Sequence, residues 1–194
     1  MNQMTCNREH DFTLVLTGFI ELTDEIEDAL LRACDDATLA MRSGRPFLTF
    51  SRQAPSMKDA ILSAIHDVHG SALGIEVLRV DYCSLVTQSD IARRINKSRQ
   101  MVYQYARGIR GPGRFPSPVC ELGDGQSLWL WCEVSYWLWH NNMIRESEYL
   151  DAEEVDTINA VIDFTRKMKI QGELTRELIK AFESFSCCEH PTGD

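Results

Sequence analysis

Two hydrophobic periods alternate through the first 83 residues. Residues 12–20 (FTLVLTGFI) alternate and are rich in β-branched side chains, which predicts a strand. Ile26, Ala29, Leu30 and Ala33 then recur at helical spacing behind Thr23, Asp24, Glu25 and Glu27; glutamate at the third helical position would complete a capping box with Thr23. Residues 37–41 and 46–51 read as two strands joined by the turn Arg42-Ser43-Gly44-Arg45. Ser56 opens a second helix whose apolar face is Ala60, Ile61, Ala64, Ile65 and Val68, ending near Gly70, and residues 75–82 alternate again. The order β-α-β-β-α-β predicts an α+β chain with a ferredoxin-like domain over residues 1–83. Right-handed crossovers would bring the first and third strands to the middle of an antiparallel sheet, both helices on one face.

From Ser84 the pattern turns helical. A short helix begins near Thr87 and runs through Asp90 to Ile95, a second covers 98–107 and a third 131–142. Between the last two, residues 119–122 and 127–131 flank Gly123-Asp124-Gly125, a hairpin signal. Residues 84–142 thus predict a winged helix–turn–helix. Beyond them, 146–167 and 172–185 are amphipathic and predict a C-terminal helical hairpin, within residues 143–194, that closes against another subunit.

Charge singles out one segment. Between Thr87 and Pro118 stand Arg93, Arg94, Lys97, Arg99, Arg107, Arg110 and Arg114 against a single acid, Asp90, a local charge of +6 in a chain of -9 that leaves about -15 on the rest. Such a reversal points to a surface that meets nucleic-acid phosphates. Ile91, Ala92 and Ile95 supply the inner face of the first helix, Asn96 suits a left-handed turn, and Ser98 caps the second helix, whose inner face is Val102 and Tyr105. Arg99, Gln100, Tyr103, Gln104 and Arg107 are left facing outward. Arginine suits guanine O6/N7 and glutamine adenine N6/N7, so this face is equipped to read bases in double-stranded DNA. Arg110 and Arg114 on the following glycine- and proline-rich loop are placed to hold the backbone, with Arg93 and Arg94 at the groove edge and Lys97 counted among the DNA-binding residues.

The run from Val86 to Leu138, with DIARRINKSRQMVYQYARG, FPSPV and LWLWCEVSYWL in order, resembles helix–turn–helix proteins of the MerR/AlpA excisionase-like type. That resemblance implies DNA binding in transcription regulation or excision. The aromatic–arginine effector region of the MerR drug sensors does not follow, so their DNA-twisting mechanism is not implied.

Composition narrows the rest. A chain of 194 residues, 44% hydrophobic and 25% charged, is expected to be an ordinary globular protein. No apolar run reaches the length of a membrane span, no secretion signal is visible, and seven scattered cysteines without a CxxC pair read as reduced thiols. A cytoplasmic location is expected. His66 and His69 lie three apart on a helix, and Cys187-Cys188-Glu189-His190 is metal-like in composition; surface histidines and a loose tail are the readings adopted, and no cofactor or metal is expected. The four tryptophans at 129, 131, 137 and 139 are read as core in preference to a single-strand stacking platform. Phe47, Phe50 and Arg52 are the sole hint that the first sheet binds RNA. No nucleophile motif, phosphate loop or acid/base pair is present, so an enzyme is not expected. The expectation is a dimeric DNA-binding regulator, a repressor. The alternatives are an adaptor, antitoxin or excisionase-like protein that binds a protein partner, and a regulator that senses a small ligand in the ferredoxin-like half.

Overall fold

The computed structural model describes residues 7–18, 23–71, 74–123 and 125–186. Positions 19 and 20 of the first predicted strand, Asp124 of the hairpin turn and the cysteines of the tail lie outside them. The chain is α+β, and among the described residues it forms seven helices and two antiparallel sheets.

The first unit contains β1 (Arg8–Thr17), α1 (Asp24–Ala33), β2 (Ala37–Arg42), β3 (Arg45–Ala54), α2 (Met57–Gly70) and β4 (Glu76–Val80). Its sheet runs β2-β3-β1-β4, with β1 and β3 in the middle. Ser43 and Gly44 both take positive φ, 49° and 73°, the two-residue turn whose twist matches the strands it joins. Inward residues Phe12, Leu14, Leu16, Leu48 and Phe50 meet Leu30, Ile61, Ala64 and Val68 from the helices in one buried core. Thr23 caps α1 by accepting from the Ile26 amide at 3.4 Å. The third helical position is therefore Ile26, and no carboxylate stands there to complete a capping box.

The open sheet face carries Glu9, Asp11, Thr13, Thr49 and Ser51, with the Ser51 hydroxyl 2.6 Å from a Glu9 carboxylate oxygen and 2.8 Å from one of Asp11, its one proton shared between them. Phe50 is buried on the opposite, helix-covered side. Arg52 is clamped there by Asp36 at 2.6 Å and Asp67 at 2.8 Å. The hint of an RNA platform therefore dissolves, because strand alternation turns two of its three residues inward.

The second unit holds β5 (Leu85–Val86), α3 (Gln88–Arg94), α4 (Arg99–Ala106), β6 (Cys120–Glu121), β7 (Ser127–Leu130) and α5 (Trp131–His140). The small sheet runs β5-β7-β6. Val86, Ile91, Val102, Trp129, Trp131, Val134, Trp137 and Leu138 form a second core. Three of the four tryptophans are thus core, and Trp139 stacks on Tyr149 at 5.0 Å.

Helix α6 runs over Glu146–Ile170. It packs along both units, placing Ala152 in the second core and Val155 and Ile158 in the first. Asn159 acts as a surrogate strand residue, accepting from the Val80 amide at 2.8 Å and donating to its carbonyl at 3.2 Å. Glu154 accepts from the Lys58 amide at the start of α2 at 2.7 Å, Lys169 pairs with Glu76 at 2.7 Å, and Asp151 pairs with Arg8. Only α7 (Gly172–Ser186) is left without a buried side chain among its described residues.

Candidate nucleic-acid interface

Helix α3 starts at a full capping box. Thr87 accepts from the Asp90 amide at 3.1 Å, and Asp90 accepts from the Thr87 amide at 3.0 Å and its hydroxyl at 2.7 Å. Those hydrogen bonds hold the Asp90 carboxyl below its ordinary pKa, so the one acid of the basic segment is spent locally. Asn96 takes φ 51°, and the Lys97 amide returns to the Ala92 carbonyl at 2.9 Å. Ser98 then caps α4 by accepting from the Met101 amide at 3.2 Å. Ile91, Ala92, Val102 and Tyr105 are buried between the helices, with Ile95 and Met101 partly so.

The loop after α4 is fastened from below. The Trp137 indole donates to the Gly113 carbonyl at 2.9 Å, and Trp129 donates to the Pro116 carbonyl at 3.0 Å. The Phe115 ring sits 4.9 Å from Trp137 and 6.3 Å from Trp129. Gly111 has φ 88°, and a Cβ there would lie 2.9 Å from the Tyr105 ring, so glycine is required for the loop to cross α4 this closely. Arg110 and Arg114 stay exposed on this fastened loop.

The outer face of α4 looks into a cleft of about 420 Å³. Arg99, Tyr103 and Arg107 line one wall, with Glu121, Gln126 and Ser127 of the hairpin across from them. The Arg107 guanidinium lies over the Tyr103 ring at 5.6 Å. Gln88 and Ser89, from the first turn of α3, also reach the cleft. Sequence reasoning passed over Gln88, Ser89, Gln126 and Ser127; the hairpin signal placed the last two near a wing, but nothing local aimed them at α4.

The remaining candidates divide. Lys97 and Gln100 are exposed outside the cleft lining, and Gln104 is half-buried, its carbonyl accepting from the amides of Ile109 at 2.9 Å and Arg110 at 3.3 Å. Arg93 pairs with Asp90 at 3.3 Å while its side chain stays 77% exposed. Arg94 does not join the others. Its guanidinium stacks 4.5 Å from Trp131 and 5.0 Å from Tyr82 and donates to the Cys83 carbonyl at 3.0 Å, which makes it a bolt between the two units.

Unpaired cations are concentrated between residues 97 and 114. Lys97, Arg99, Arg107, Arg110 and Arg114 make no ion pair among the described residues. In the first unit Arg8, Arg52 and Arg79 each meet an aspartate, whereas Arg32, Arg42, Arg45 and Lys58 make no ion pair among the described residues. Cations left uncompensated in an acidic chain are available to an external polyanion. Among the described residues no helix is long and apolar enough to cross a membrane. Compared with known proteins, the chain matches no family model, no curated protein and no solved structure.

Proposed function

We propose that the protein is a sequence-specific double-stranded DNA-binding transcription regulator, acting as a dimeric repressor. In this reading the β2-β3-β1-β4 unit is ferredoxin-like, and α3, α4 and the β6–β7 hairpin form a winged helix–turn–helix. The observation that carries it is the group of five unpaired cations on α4, its preceding turn and the fastened loop. Phosphate contacts fix position and base-edge contacts specify sequence, and this surface has groups for both. Arg99, Gln100, Tyr103, Gln104 and Arg107 face the major groove, while Arg110 and Arg114 hold the backbone. Lys97 sits on a phosphate at the turn, and Arg93 at the groove edge. Ser98 serves as the cap that aims α4, and Arg94 serves the fold. The resemblance in residues 86–138 supports the same assignment.

Dimerisation follows from the need of one small reading head for a second. Leu174, Leu178 and Phe182 are spaced by four along α7 and stand 51%, 49% and 67% exposed, an apolar line suited to a second subunit. Selection of bound sequences from a random DNA pool tests the function, combined with titration against salt. One preferred sequence is expected, with a log–log salt slope of about -5 or steeper for a dimer neutralising several phosphates. Affinity that ignores salt between low and physiological strength overturns the reading.

A further inference from the structure

A groove of about 430 Å³ opens between α2, β4 and α6, and none of the cations of α4 lines it. Its floor is apolar, with Leu62, Ile65, Val77, Val161 and Ile162 among the lining residues, and Leu62 and Val161 stand 50% and 58% exposed within it. A volume of this size suits a ligand of roughly ten to fifteen heavy atoms, since small-molecule sites span about 300–1,000 Å³. The rim has the opposite sign to the half it belongs to: Lys58, Arg166 and Lys169 border the groove, with Glu76 as the acid among them. Lys169 is paired with Glu76 and Arg166 with Asp163, whereas the Lys58 ammonium makes no ion pair among the described residues.

We propose that this groove binds a small amphipathic anion, an aliphatic carboxylate whose chain lies on Leu62, Val161 and Ile162 and whose head group meets Lys58. Charge complementarity selects the head group, and the apolar floor selects the tail. Helix α6 gives such a ligand a regulatory consequence. The stretch that lines the groove continues without a break into Ala152, which packs in the second core, and Asp151, which pairs with β1. A ligand in the groove therefore touches the same rigid helix that packs against the unit carrying α4, and any state of the chain it binds more tightly is favoured by that difference in affinity. That consequence rests on the DNA-binding reading; occupancy of the groove does not.

The test measures thermal stability of the full chain, without DNA, against octanoate, with octanol and octylamine as neutral and cationic controls. Octanoate is expected to raise the melting temperature saturably, since a ligand bound only to the native state stabilises by mass action. The amine is expected to have no effect and the alcohol a weaker one. Val161→Trp fills an already exposed position and is expected to abolish the octanoate shift while the protein keeps its own cooperative melt. Lys58→Gln is expected to weaken octanoate by about threefold to tenfold and leave octanol unchanged. Equal shifts from octanoate and octanol overturn the anionic class. A shift that survives Val161→Trp, or no saturable shift at millimolar octanoate, overturns the site. Loss of DNA binding with the octanoate shift intact would sink the function proposed above and leave this site standing.

Discussion

The Trp137 indole holds the Gly113 carbonyl at 2.9 Å, and through that bond a buried helix sets the path of an arginine-bearing loop. Trp137 is itself part of the second core, 5.5 Å from the Tyr105 ring of α4. Helix α4 and the loop with Arg110 and Arg114 are thus set by one hydrophobic cluster. Pre-arranged groups lose less conformational entropy on binding than groups on a loose loop.

Trp137→Phe keeps much of the ring and removes the N–H donor. It is expected to cost about 1 kcal/mol of stability, because the Gly113 carbonyl loses its partner. DNA affinity should fall for all sequences alike, with base preference kept; denaturant unfolding beside titration of matched and unmatched duplexes checks both halves.

Arg99→Ala and Gln104→Ala are expected to relax base preference, at about 1–3 kcal/mol on a matched site. Arg110→Ala should instead weaken matched and unmatched DNA equally and reduce the salt slope by about one. If sequence preference survives both α4 substitutions, the reading surface lies elsewhere.

Arg94→Lys retains the charge but loses the planar stack on Trp131 and Tyr82. A loss of about 1–2 kcal/mol is expected, since a flexible ammonium does not replace a stacked guanidinium. DNA affinity measured well below the melting transition should hardly change, which separates this bolt from Arg99.

Leu178→Glu puts a charge in the middle of the exposed α7 line. Sedimentation is expected to find a monomer where the parent is a dimer, with half-site affinity intact and affinity for a two-half-site operator at least tenfold lower. A dimer that persists places the subunit contact away from α7.

The Asp36–Arg52 pair makes the first unit acid-sensitive. Hydrogen bonding from Arg52 lowers the Asp36 pKa from its ordinary 3.8, so the unfolded chain takes up this proton more readily than the native one. The contribution is complete above that value and is lost as pH falls below it through the folded pKa. Asp36→Asn should therefore cost about 1 kcal/mol at neutral pH, and the two stability curves should converge in acid.

Much of the fold was legible before any coordinates because its signals are local. Thr23, Ser56, Thr87 and Ser98 each cap the helix their spacing announces, and Ser43-Gly44 takes the turn expected of it. The buried sets of α2, α3 and α4 follow their apolar periods for the same reason: a helix of 3.6 residues per turn puts them on one face whatever surrounds it.

The basic segment was equally plain in the sequence, as a charge count and a pair of capped helices. What the tertiary structure alone decided is which cations are free. Arg94 reads like Arg93 along the chain, yet Tyr82 and Trp131, brought in from other elements, hold its guanidinium against their rings. Gln88 and Ser89 reach the cleft from α3 and Gln126 and Ser127 from the β6–β7 hairpin, so they meet the outer face of α4 only in the packed chain. Helix α6 fastens the chain's own two units through pairings such as Asn159 with Val80, which span 79 residues, and no local pattern announced them. Local pattern dictates which face of an element is apolar; only the packed chain dictates what that face meets.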